Sequence, residues 1–184
     1  RAPWPALPSA ASGQAYATLL TTEDASYLSA ALALGSSIRA FDSARPMVAL
    51  VAPRVPATWY SQLAQVGWRV QQIDEVPEFW WGTHARCKGG HEADQEERWG
   101  HMASKLRLWQ LTQYEQVLYL DADAVLLAPA DGLFAQRGFA AEAGVSHAAF
   151  NAGAMLLTPS QPTFDALLAR GRGAPPRVFG NLID

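Results

Sequence analysis

The stretch VLYLDADAVLL, residues 117–127, places two carboxylates, Asp121 and Asp123, at the end of an apolar run. An extended backbone turns residues i and i+2 to the same side, so the spacing predicts both carboxylates projecting together from the end of a buried strand. Two like charges that close repel unless something positive lies between them. A hard divalent cation with oxygen ligands meets that need, and Mn²⁺ or Mg²⁺ is the expected occupant. Such an ion compensates charge developing on phosphate oxygens, and each factor of ten in rate needs only about 1.4 kcal/mol of this stabilisation. The chemistry suggested is transfer from a nucleotide sugar, whose diphosphate leaves poorly when its charge is uncompensated. Two other readings stand beside it. Aspartates are common as solvated turn or capping residues. Aspartate-nucleophile phosphohydrolases also set Asp-x-Asp after an apolar strand. In that class a Gly-Thr follows and the motif sits on the first strand, whereas here Ala124-Val125 follow and two strand–helix units precede.

Those carboxylates need a scaffold, and the first 75 residues read strand–helix–strand–helix–strand. Residues 14–21 (QAYATLLT) form an apolar, bounded run that suits a buried strand. Thr22, Glu23 and Asp24 offer capping oxygens and early negative charge for a helix to about Phe41, with Leu28, Ala31, Leu32, Gly35 and Ile38 at helical spacing. Residues 47–52 are a second strand. Pro56 and Gly67 bracket a second helix. Residues 68–73 are a third strand. This order favours a mainly parallel sheet flanked by helices, an α/β Rossmann-like fold. Residues 82–98 are polar and long for a plain connection, as functional loops often are. A helix is expected next, with Met102, Leu106 and Trp109 facing the core and Lys105 on a neighbouring face. Residues 116–120 are a strand leading into Asp121, residues 150–158 another, and residues 160–170 a last helix. In open α/β sheets ligands bind beyond the carboxyl ends of strands, where Asp121 and Asp123 fall. Residues 1–13, with Pro3, Pro5 and Pro8, read as an irregular lead-in, and residues 14–184 as one domain.

Composition narrows the classes. The chain has 184 residues, enough for one ordinary core and too few for two comfortable ones. A net charge of −3 argues against a nucleic-acid partner, though not against a local basic pocket for a small diphosphate. The single cysteine, Cys87, excludes a disulfide within the chain, which is compatible with a reducing compartment without proving one. No run approaches the roughly 20 apolar residues of a membrane span, and the compartment, cytoplasm or Golgi lumen, stays open. Arg1 in place of Met and an end at Asp184 without a polar tail suggest a piece of a longer protein.

Several separated segments resemble family 8 of the retaining glycosyltransferases, the group of glycogenin, galactinol synthase and the plant xylan glucuronyltransferases, whose fold is GT-A. The resemblance runs from about Tyr16 to the end. ATLLTTEDASYLSAALALGSSIRAF (residues 17–41) is similar to the family's opening strand and helix. It implies that Leu20, Thr21 and Thr22 contact the uridine base and that Tyr27 stacks on uracil, with Glu23 where Asn is common. SKLRLWQLTQYEQVLYLDAD (residues 104–123) is the strongest match. By resemblance Lys105 helps hold the diphosphate and donor sugar, Asp121 and Asp123 ligate the metal, and the Ala122 backbone contacts ribose. FNAGAMLL (residues 150–157) resembles the Phe-Asn-Ser-Gly strand that touches the donor sugar, which implicates Asn151 and Gly153; Ala152 replaces the serine. Asp184 stands where the family's Asp-Gln pair begins and is the candidate catalytic residue. The family's third metal ligand is a His in a His-x-x-Gly-x-x-Lys-Pro-Trp segment, and none of the four histidines here sits in one.

The expected function is therefore transfer of a hexose-type unit from a UDP-sugar donor to a hydroxyl of a sugar, polyol or glycan acceptor, with divalent metal. Retention of configuration is implied by the resemblance alone. The alternatives are a degenerate module that keeps the UDP pocket, and the phosphohydrolase. Family members are often dimers, so a homodimer is a candidate assembly. His84, Cys87, His91 and His101 make a poor zinc set, having one Cys and no paired spacing. Trp80 and Trp81 suit either an acceptor sugar face or a hydrophobic hinge.

Overall fold

The computed structural model describes residues 13–76, 103–143 and 150–173. The chain runs β1 (Gln14–Leu20), α1 (Ala25–Phe41), β2 (Met47–Val51), a 3₁₀ turn (Ala57–Trp59) leading into α2 (Tyr60–Gln65), and β3 (Trp68–Gln72). A 3₁₀ helix (Ser104–Gln110), β4 (Gln116–Leu120), α3 (Asp131–Phe134), β5 (Ala140–Ala143), β6 (Phe150–Leu157) and α4 (Gln161–Gly173) follow. The strands make one sheet in the order β3-β2-β1-β4-β6-β5. The ladders β3·β2, β2·β1 and β1·β4 are parallel, and β4·β6 and β6·β5 are antiparallel. Five of the six strands therefore point one way and β6 alone runs against them. The α/β expectation is met, and the antiparallel margin is what the sequence reading did not resolve. Among the described residues no helix is long and apolar enough to cross a membrane.

The centre of the sheet is dry on both faces. Alternate residues of β1 serve opposite layers: Tyr16 and Leu20 pack with Leu28, Leu34 and Ile38 of α1, whereas Ala15, Ala17 and Leu19 pack with Leu108, Tyr119 and Leu157. A strand covered twice has no polar face, which is why QAYATLL reads as a continuous apolar run. Helix α1 starts at Asp24, whose carboxylate accepts the Ser26 amide at 2.9 Å. That supplies one of the bonds a helix N-terminus otherwise lacks.

Two expectations change. The segment after the long loop is a 3₁₀ helix, not an α-helix. Its buried residues are Ser104 and Leu108, while Leu106 and Trp109 are only partly covered and Met102 lies outside the described residues. At 3.0 residues per turn, side chains at i and i+3 stack on one face. Lys105 thereby shares the inward face of Leu108 instead of a neighbouring one. The short elements α3 and β5 had no periodic signal long enough to read.

Gly35 marks a close approach of α1 to the start of β3. A Cβ there would stand 2.6 Å from Nε1 of Trp68 and 2.9 Å from Cγ2 of Val66. The indole is held in place because Nε1 donates to the Ala31 carbonyl at 2.9 Å. Gly35→Ala in an open helix would gain about 1 kcal/mol from propensity. Overpacking costs about 1–3 kcal/mol, so a net loss of about 1 kcal/mol is expected in urea denaturation. A raised midpoint would show that the contact yields.

At the end of the sheet where β1 begins, Asp42 accepts the Tyr16 hydroxyl at 3.1 Å, an Arg45 guanidinium N–H at 2.5 Å and the amides of Ala44 and Arg45. Arg45 also pairs with Asp131 at 2.9 Å and covers the Phe134 ring. Burial alone would raise the Asp42 carboxyl, but the donors from Arg45 and Ala44 outweigh it and pull the group down to about 2. An unfolded aspartate titrates near about 3.9. The stabilisation is therefore complete above the unfolded value and is lost as pH falls through about 2. Asp42→Asn is expected to flatten the acid limb of stability against pH below about 4, read by denaturation across pH 2–7. An unchanged acid limb would remove Asp42 from the account.

Candidate functional site

The chain order of the sheet reverses between β1 and β4. β1 leads through α1 outward to β2 and β3, and the chain then returns to the other side of β1 as β4. Loops leaving the carboxyl ends of two such strands diverge and open a crevice between them. β1 ends at Leu20 and β4 at Leu120, so the segments starting at Thr21 and Asp121 flank one crevice. β6 runs the other way beside β4, which brings its first residues to the same edge: the Asp121 amide donates to the Gly153 carbonyl at 2.8 Å.

Asp121 is the centre of a compact polar group. Lys105 Nζ lies 2.8 Å from Asp121 Oδ1 and donates to the Ala152 carbonyl at 3.1 Å. The same ammonium sits 5.2 Å from the centre of the Tyr119 ring, and the Tyr119 hydroxyl donates to Asp121 Oδ1 in a short hydrogen bond. Burial, reinforced by the negative charges of Asp121 and Asp123, holds the Tyr119 phenol well above its ordinary range. It therefore stays protonated and remains a donor. Asp121 Oδ2 points elsewhere, 3.3 Å from the place a Cβ on residue 153 would take, so glycine there keeps that oxygen clear. Asn151 is held at both ends: Oδ1 accepts the Gly153 amide at 2.9 Å and Nδ2 donates to Glu142 at 3.2 Å.

The local backbone differs from the extended segment expected around the aspartates. The Ala124 amide donates to the Asp121 carbonyl at 2.9 Å, closing a tight turn over 121–124. Asp121 is the last residue tied to the sheet, and Asp123 sits exposed in the turn. The turn forms because Ala122 tucks into the core at 4 % exposure and because Ser37 of α1 accepts the Leu126 amide at 3.0 Å. Asp121 closes the strand and Asp123 falls in the turn, so strand alternation does not relate the pair.

The other expected residues fall as follows. The Leu20 side chain is fully buried in the core, so only its backbone can face a ligand, and the same holds for Ala122. Thr21 and Thr22 are partly exposed just past β1, with Thr22 Oγ1 accepting the Asp24 amide at 3.2 Å. Tyr27 stands exposed in the first turns of α1. Lys105, Asp121, Asn151 and Gly153 form one contact chain; Leu20, Thr21, Thr22 and Tyr27 line the neighbouring strand end. Asp184 lies outside the described residues, as do Trp80, Trp81, His84, Cys87, His91 and His101. Sequence reasoning missed Tyr119 and Glu142. Tyr119 was legible, being two residues before Asp121 and so on the same side of a strand. Glu142 lies on a strand too short to read.

The residues present fit a divalent cation. Asp121 offers Oδ2, the oxygen that Tyr119 and Lys105 leave aside, and Asp123 an exposed carboxylate in the adjoining turn. Among the described residues no third His, Cys, Asp or Glu completes a cluster. One or two carboxylates with substrate phosphates and waters is the usual way a protein holds Mg²⁺.

Two findings define the class. Solved structures of a galactosyltransferase, LgtC, with donor and acceptor sugar analogs (17% identity, TM-score 0.54, 78% of this chain and 57% of that one) and of the bifunctional WbbM (16%, TM-score 0.58, 90% and 34%) share the architecture. The fold is that of the GT-A glycosyltransferases. By sequence, the chain is a homologue of the family 8 glycosyltransferases, the group of glycogenin and the xylan glucuronosyltransferases. It is 32% identical over 155 residues to UDP-glucuronate:xylan alpha-glucuronosyltransferase 1 of Arabidopsis thaliana, and 33% over 156 residues to human glycogenin-1. Each alignment covers 84% of this chain, which spans 21% and 42% of those relatives. No family model matches it.

The Lys105–Asp121 pair is partly screened, with side chains 15% and 36% exposed. A double-mutant cycle of Lys105→Met and Asp121→Asn in metal-free buffer is expected to give a coupling of about 0.5–1 kcal/mol, reduced by salt. Zero coupling at low salt would mean that the two groups do not pair in solution.

Proposed function

We propose that this chain is the donor-binding part of a metal-dependent glycosyltransferase that moves a hexose-type unit from a UDP-sugar to a hydroxyl acceptor with retention of configuration. The observation that supports it most is the convergence of Lys105, Asp121, Asn151 and Gly153 at the crevice where the sheet order reverses. In the reaction the bond from the anomeric carbon to the diphosphate breaks, the acceptor oxygen bonds to that carbon and loses its proton, and UDP departs. Mn²⁺ or Mg²⁺, held by Asp121 and Asp123, would supply charge compensation for the departing diphosphate. Lys105 offers a second positive charge on the same side. Leu20, Thr21 and Thr22 offer backbone and hydroxyl groups to the uracil, and Tyr27 its ring. The Ala122 backbone meets the ribose, and Asn151 and Gly153 border the sugar. Asp184 is the proposed catalytic carboxylate. The acceptor is a sugar, polyol or glycan, and a homodimer is a candidate assembly. A UDP-sugar is favoured because the Arabidopsis relative's name specifies UDP-glucuronate.

The test is thermal stability with UDP, with and without Mn²⁺, against GDP and ADP. A metal-dependent shift confined to UDP, lost in Asp121→Asn, is expected, followed by UDP release when a UDP-sugar and an acceptor are supplied. A shift of about 3 kcal/mol is expected at one hundred times the dissociation constant. A shift without turnover on any UDP-sugar would leave a binding module, and cleavage of phosphomonoesters would favour a phosphohydrolase.

A further inference from the structure

We propose that Tyr119 is a positioning residue for the metal: its hydroxyl sets the rotation of the Asp121 carboxylate so that Oδ2 faces a divalent cation. The inference rests on the metal reading above. Both partners of the carboxylate, a hydrogen bond from the Tyr119 hydroxyl and an ion pair with Lys105 Nζ, fall on Oδ1. That oxygen is thereby engaged, and Oδ2 is left toward the space beside Gly153. Of the two partners, Tyr119 is the one that can hold an angle. Its ring is 1 % exposed and packed in the core with Leu108, Met155 and Leu157. Lys105 ends a flexible four-carbon stem. A ring so enclosed does not touch a ligand itself, so Tyr119 acts only through Asp121. Groups that orient a metal ligand in this way change metal affinity by about 10–100-fold when removed.

The experiment is Mn²⁺ binding by electron paramagnetic resonance, with UDP present, for the full chain and for Tyr119→Phe. The variant keeps the ring and its packing. Both proteins are compared at a temperature below both unfolding transitions, and UDP affinity is also measured in the presence of EDTA. The expected result is Mn²⁺ affinity about tenfold weaker or more in Tyr119→Phe, with metal-free UDP affinity unchanged. Equal Mn²⁺ affinity in the two proteins overturns the positioning role and leaves the metal reading standing. Equal losses in Mn²⁺ and metal-free UDP affinity overturn it too, because they mean general damage to the crevice. No Mn²⁺ binding by the unsubstituted chain overturns the metal reading, and the positioning role with it.

Discussion

Burial of β1 on both faces is the constraint on which the rest of the structure depends. A central strand with no polar face needs a layer on each side, and α1 and the 3₁₀ helix with β4 and β6 side chains supply those layers. Because β1 is parallel to both neighbours, neither connection can be a hairpin, and each must cross a face of the sheet. The chain leaves β1 toward β2 and comes back on the other side as β4. That reversal opens the crevice, and the crevice decides where polar groups can gather without disrupting the core. At the opposite end of the sheet Tyr16, Asp42 and Arg45 form a polar cluster that ties the end of α1 to α3.

At the crevice Lys105 pairs with Asp121. Asp121 leaves the sheet with one oxygen facing Lys105 and Tyr119 and the other facing open space. An aspartate bonded on both oxygens would make a structural ion pair. An aspartate bonded on neither would be free to rotate into solvent. The asymmetry gives the carboxylate a direction, with Oδ2 turned toward the space beside Gly153. The neighbouring Ala152 carbonyl and Asn151 amide are ordered by the same short stretch of β6, so groups from β6 and from the end of β4, far apart along the chain, act as one surface.

Much of this was written in local patterns. Apolar runs of strand length, the Asp24 cap and the apolar spacing along α1 predict β1, α1, β2, β3 and β4 closely; residue types and spacing single out Asp121 and Asp123, and the family resemblance singles out Lys105. Other features were not local. The turn at 121–124 depends on Ala122 finding a core pocket and on Ser37, 89 residues away from Leu126. The 3₁₀ winding of residues 104–110 depends on packing Leu108 beneath the sheet, since the residue types there are ordinary helix formers. β5 is four residues long, with half of it exposed, and exists because β6 offers it an edge.

The sequence by itself determined which strands are buried and which polar groups stand at their ends, because side-chain type and hydrophobic period are properties of neighbouring residues. Only the tertiary structure decided that Lys105 turns inward to Asp121, that Tyr119 holds one carboxylate oxygen, and that β6 runs against its neighbours to bring Asn151 and Gly153 to the same edge. Those are relations between segments far apart in the chain, set by which surfaces must be buried together, and no local pattern encodes them.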